Sequence, residues 1–170
     1  FDTYFQYFIY KSRYARWRDT ENRRENWDET VQRYLKFISY NAVDNYGIDI
    51  DPYYEQLYNA IYNLDIMPSM RAMMTAGPAA ERDNTCVYNC AYLPVDDIKS
   101  FDEAMFILLS GTGVGFSVER QEVQQLPEIP DLLFDSLTTI VVRDSKEGWA
   151  KSLRQLISLL YSGEIPRWDV

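Results

Sequence analysis

Histidine is missing altogether from this 170-residue chain, and cysteine occurs only twice. Without histidine, the chain cannot build a Ser-His-Asp or Cys-His nucleophile pair or any His-containing metal site. Two cysteines are also too few for a structural zinc site. There is no apolar run of about 18 residues and no basic-then-apolar leader, so nothing points to membrane spanning or secretion. A cytoplasmic protein with both thiols reduced is expected. Repeats, low-complexity tracts and Gly/Ser linkers are lacking as well. Positive charge is scarce: 17 Lys and Arg against 26 Asp and Glu give a net charge of −9. Such a field repels a phosphate backbone and argues against a broad nucleic-acid-binding surface.

What is present is a chain that should fold. At 46% hydrophobic residues it is too apolar for disorder despite its acidity, and its length suits one core. It begins with Phe1 rather than Met, which suggests that a start was trimmed or left outside the numbering. The only basic, aromatic stretch runs from Phe1 to Arg18 and holds Phe5, Phe8, Tyr10, Tyr14 and Trp17 among Lys11, Arg13 and Arg16. Two readings stay open there, a single-strand nucleic-acid strip and a partner-facing or core-covering segment.

Helix signals are clear. Asn26 with Glu29 predicts a capping box ahead of a stripe of Trp27, Val31, Tyr34, Leu35 and Ile38, with a helix to about Asn41. Asp51-Pro52 predicts an N-cap with proline at the first helical position, and the helix should end near Asp65. Ser100 with Glu103, and Asp144 with Glu147, predict two more capping boxes, with Gly111 and Gly163 as terminators. Strands are expected at Cys86 to Val95, Val114 to Val118 and Thr138 to Val142. A helical region over 1–66 followed by a mixed region over 67–170 therefore gives an α/β protein, with the boundary near Pro68.

Three segments could carry chemistry. Gly111-Thr112-Gly113-Val114-Gly115-Phe116 lets backbone approach a ligand closely. A helix precedes it and a strand follows, the reverse of a dinucleotide fingerprint, and no Lys-Ser/Thr follows as in a Walker loop. A plain helix cap and turn would account for it equally well. In Tyr88-Asn89-Cys90-Ala91-Tyr92 a cysteine sits inside an expected strand, either as a small buried hydrophobe or as a working thiol. On that strand Cys86 would lie about 13 Å from Cys90, too far for a disulfide. In Met67-Pro68-Ser69-Met70-Arg71 through Ala76-Gly77, Ser69 and Arg71 could face an anion, or Arg71 could cap a helix.

In order and spacing, these three segments together resemble the N-terminal part of ribonucleotide reductases, most nearly the adenosylcobalamin-dependent class II enzymes in their compact phage form. Arg23-Arg24-Glu25-Asn26-Trp27 and Arg143-Asp144-Ser145-Lys146-Glu147-Gly148-Trp149 add to the likeness, which runs from about Tyr14 to Val170. The resemblance implies a helical region leading into the first strands and helices of a ten-stranded α/β barrel, incomplete in this chain. It implies that Cys90 is one of two thiols oxidised as the ribose 2′-hydroxyl is removed, with Asn89 beside it at the floor of the substrate site. It also implies that Gly111, Thr112, Gly113 and Gly115 pass close to the nucleotide and that Ser69 lies near the loop contacting its phosphate.

The family's radical cysteine and its neighbouring Asn and Glu belong to later sequence, as do the partner thiol and the C-terminal cysteine pair. The chain is therefore expected to be an N-terminal portion, completed by a C-terminal reductase segment on a separate chain or in a longer polypeptide. The resemblance implies a ribonucleotide substrate and leaves room for a deoxynucleoside triphosphate effector and a thioredoxin-like reductant. Adenosylcobalamin would be held mostly outside this chain, and the cytoplasm would be the host's if a phage encodes it. Neither nucleic acid nor membrane is an expected partner. The rival expectation is a non-enzymatic nucleotide-binding or regulatory module derived from a barrel fragment.

Overall fold

The structure, a computed structural model, describes residue 1 and residues 3–169. The chain forms two compact units, Phe1–Tyr88 and Asn89–Val170. The change from all-helical to mixed pattern expected near Pro68 thus precedes the division into units by about one helical hairpin. The reason is packing: Met73 lies in the core of the first unit with Val31, Leu35 and Ile61, and draws the residues after Pro68 into it.

The first unit is helical. It opens with helix α1 (Tyr4–Ile9), a π-turn (Tyr10–Tyr14) and a short hairpin of β1 (Trp17–Arg18) and β2 (Arg23–Arg24). Tyr10 is buried and its hydroxyl donates to the Glu25 carbonyl at 2.7 Å, so part of the aromatic opening covers the core. Tyr4, Phe5 and Phe8 remain exposed. Helix α2 (Trp27–Tyr46) starts at the expected capping box: Asn26 Oδ1 accepts from Glu29 N at 2.9 Å, and Glu29 Oε2 accepts from Asn26 N at 2.8 Å. It outruns Asn41 because the first residue able to end it easily is Gly47, at φ 64°. Asp51 is not an N-cap. Asp51–Tyr53 form a 3-10 turn, with Asp49 Oδ1 accepting from Asp51 N at 2.9 Å, and helix α3 (Tyr54–Tyr62) follows. Helices α4 (Met70–Thr75) and α5 (Pro78–Arg82) complete the unit with a 3-10 turn at Asn84–Val87.

That last turn corrects the strand expected from Cys86. The Asp83 side chain accepts from Thr85 N at 3.0 Å and winds residues 84–87 into a turn, so Cys86 is not on a strand. The strand spacing argued for Cys86 and Cys90 therefore does not apply.

The second unit contains two strand–helix–strand units. In the first, β3 (Cys90–Pro94) and β4 (Gly113–Ser117) are parallel and joined through α6 (Ser100–Leu109). A short helix, α7 (Arg120–Val123), leads to the second, where β5 (Phe134–Val141) and β6 (Glu164–Asp169) are parallel and joined through α8 (Lys146–Tyr161). Helices α6 and α8 pack together, and Arg154 Nη2 donates to the buried Asp102 Oδ2 at 2.6 Å. The mixed α/β class is as expected, and the strands among the described residues form paired sheets, not a closed barrel.

Two capping signals are displaced. Ser100 is a buried first-turn residue, and Asp97 Oδ1 takes the Lys99 N–H at 2.8 Å in place of a Ser100 box. At α8 the cap is Ser145, one residue after Asp144, its hydroxyl accepting from Gly148 N at 3.0 Å. Strand β6 carried little sequence signal because Pro166 interrupts it. Pro166 lies between the paired Ile165 and Arg167, opposite the irregular stretch of β5 between Asp135 and Thr139, where its missing N–H costs no ladder bond.

Candidate active site

The second unit gathers six of the seven residues implicated by the motifs, and the seventh, Ser69, lies in the first. Asn89 leads into β3, and Cys90 is its first residue. Cys90 pairs with Gly113 and Tyr92 with Gly115, so two side chains and two bare glycines alternate along one face of the parallel pair. Cys90, Tyr92, Gly113 and Gly115 are all exposed, whereas Leu93, one position out of phase, is buried. Cys90 is thus not part of the core of this unit. The Asn89 carbonyl accepts from Gly113 N at 2.9 Å, which locks the loop to the start of β3.

The three glycines divide by cause. Gly111 ends α6 at φ 84°, a conformation that a side chain resists, and so it is explained by the turn alone. Gly113 and Gly115 have ordinary φ. A Cβ at Gly113 would meet the Asn89 carbonyl oxygen at 3.6 Å, and one at Gly115 would meet the Ala91 oxygen at 3.8 Å, both ordinary contacts. Nothing in the fold of this unit requires glycine there. What their bareness provides is an uncovered strip of backbone beside the Cys90 thiol. Thr112 is only 1% exposed. Its N–H donates to the Ile107 carbonyl at 3.2 Å and fastens the turn.

Sequence reading missed Lys146. Its ammonium donates to Ser110 Oγ at 3.2 Å and lies 4.6 Å from the centroid of the Phe106 ring, tying the start of α8 to the residue before Gly111. The signal was available in the stretch Arg143 to Trp149, which the resemblance already singles out. Gly148 in that stretch is sterically fixed, since a Cβ would lie 2.2 Å from the Arg143 carbonyl oxygen.

In the first unit Ser69 precedes α4 and is exposed, its Oγ accepting from Ala72 N at 3.5 Å. Cys86 is half-buried, with its Sγ 3.2 Å from the Asp83 carbonyl, and both cysteines are free thiols. Among the described residues no group of three or more His, Cys, Asp or Glu is placed to hold a metal ion. No described helix is long and apolar enough to cross a membrane.

The chain as a whole has a counterpart in fold among solved structures. The fold is that of the N-terminal part of a class II ribonucleotide reductase: a B12-dependent enzyme of that class superposes with a TM-score of 0.79 over 96% of this chain and 32% of its own, at 22% identity. A family model described as the ribonucleotide reductase alpha domain matches residues 1–78. Curated relatives named adenosylcobalamin-dependent ribonucleoside-triphosphate reductase include that of Lactobacillus gasseri, 29% identical over 165 residues, covering 81% of this chain and 22% of the relative. That of Lactobacillus leichmannii is 28% identical over 173 residues, covering 85% and 23%. The resemblance carried by the motifs is therefore found in sequence and in fold alike. The chain spans less than a quarter of the length of these curated relatives.

Proposed function

We propose that this chain is the N-terminal segment of a ribonucleotide reductase and contributes one reducing thiol and a substrate-facing strand to a site completed by further sequence. The observation that carries this is the exposed Cys90 in register with Gly113, beside glycines that the fold itself does not need. In the reaction, a ribonucleotide and two thiols give a deoxyribonucleotide, a disulfide and water. The two electrons come from the thiols, and the 2′-hydroxyl leaves as water with a proton. Cys90 is one of those thiols, and the partner thiol and the thiyl-radical cysteine come from the complementary C-terminal segment. Asn89 and the strip formed by Gly113 and Gly115 lie against the sugar and base, and Gly111 and the buried Thr112 fix the turn. Ser69, whose oxygen already accepts the Ala72 N–H, retains its own O–H to donate to a phosphate oxygen.

Adenosylcobalamin, which the relatives' names specify, serves such an assembly as the radical source. The residues of this chain are assigned to substrate and reductant. A cytoplasmic setting, a thioredoxin-like reductant and a deoxynucleoside triphosphate effector complete the proposal. The test is to co-express the chain with the reductase sequence that continues it and assay deoxynucleotide formation. Activity in the pair, absent from either part alone, supports the proposal. A folded complex that binds nucleotide without reducing it supports the non-enzymatic module instead.

A further inference from the structure

We infer that Arg33 is a positioning residue that sets the orientation of the Ser69 segment, an inference that rests on the reading of Ser69 as a phosphate contact. Helix α4 has six residues, too few to hold itself, and begins at the Ser69 cap. Its far end is held from α2. Arg33 Nη1 donates to the carbonyls of Met73 and Ala76, both at 2.9 Å, and so supplies two of the donors that a helix C-terminus lacks. The chain then turns sharply at Gly77, φ 97°, where an added Cβ would come within 4.0 Å of Arg33 Cδ.

The guanidinium is itself fixed. Its Nε donates to Glu25 Oε1 at 2.7 Å and its Nη2 to Glu25 Oε2 at 3.0 Å, a two-pronged pair in which both side chains are largely buried. Glu25 Oε2 also accepts from Thr30 Oγ1 at 2.9 Å and from Arg16 N at 3.0 Å. Arg33 Nη2 reaches the Tyr14 carbonyl at 3.3 Å. With Met73 seated in the core, α4 is pinned at its middle by packing and at its C-terminal end by Arg33. The direction in which Ser69 projects follows from those two anchors. Lysine keeps the charge but is a single point of donation, and cannot span two carbonyls and a carboxylate at once.

The experiment compares Arg33→Lys and Ser69→Ala in the co-expressed reductase, with hydrogen exchange on this chain as a second readout. Arg33→Lys is expected to raise KM for the nucleotide about fivefold, the weight of one weakened hydrogen bond, with kcat little changed. Amide protection at residues 70–77 should fall while the middle of α2 keeps its own. Unchanged protection at 70–77, or an unchanged KM for Arg33→Lys beside a raised KM for Ser69→Ala, overturns the inference and leaves the Ser69 reading standing. An unchanged KM for Ser69→Ala overturns the reading, and the inference with it. Should Arg33→Lys not fold, Glu25→Gln loosens the same guanidinium, and a smaller rise in KM with the same exchange pattern is expected; no change in either overturns the inference.

Discussion

Cys90 and Gly113 are register partners on parallel strands, joined through the hydrogen bond from Gly113 N to the carbonyl of Asn89, the residue before Cys90. The thiol therefore stands beside the one type of residue that leaves the neighbouring strand uncovered. Replacing Gly113 and replacing Gly111 should consequently do different things.

Gly113→Val is expected to leave the thermal midpoint of the chain nearly unchanged, because its Cβ makes only ordinary contacts and valine suits a strand. In the co-expressed enzyme it should weaken nucleotide binding about tenfold or more, measured by calorimetry, since a branched side chain then covers the strip. Gly111→Ala should behave oppositely. At φ 84° an alanine costs about 1–2 kcal/mol of stability, seen in the melting temperature, with less effect on affinity.

Gly148→Ala tests the start of α8. The added methyl would meet the Arg143 carbonyl at 2.2 Å, and that backbone cannot move without disturbing the Ser145 cap. A loss of about 1–3 kcal/mol is expected from denaturant melts. Stability equal to the parent protein would mean that the turn before α8 is looser than described.

Acid should loosen the first unit. Burial alone would raise the Glu25 carboxyl, but the Arg33 guanidinium, the Arg16 N–H and the Thr30 hydroxyl outweigh it and hold its pKa below the usual value. The Arg23 bond and the Asn26 N–H hold the more open Glu29 at about 2. Depressed carboxyls stabilise fully above their unfolded value of about 4.3, and that contribution is lost as pH falls through the folded values. Circular dichroism of urea melts should show stability constant near neutrality and falling below about pH 4. In Glu25→Gln this acid-dependent fall should shrink, on a lower neutral stability.

Much of this was legible from sequence, and the failures have physical causes. The Asn26–Glu29 box worked because cap, acid and apolar stripe agree locally. The Ser100–Glu103 pattern failed because Asp97, three residues earlier, competes for the same turn, a choice that pattern alone does not decide. Cys86 looked like strand because alternation extends back from Cys90, yet the Asp83 side chain offers the backbone a nearer partner. The Cys90–Gly113 pairing joins residues far apart in sequence and could be suggested only by the joint order of the motifs. The Glu25–Arg33 pair left no motif, because a buried ion pair is created by the meeting of α2, the hairpin and α4.

The most direct test of the central claim is Cys90→Ser in the co-expressed reductase, with Cys86→Ser beside it. Cys90 is exposed, so serine should fold as well as the parent and bind nucleotide with similar affinity. Multiple-turnover deoxynucleotide formation should be abolished, because one of the two thiols that form the disulfide is gone, while Cys86→Ser should turn over almost normally. Full multiple-turnover activity in Cys90→Ser would contradict the assignment of Cys90 as a reducing thiol.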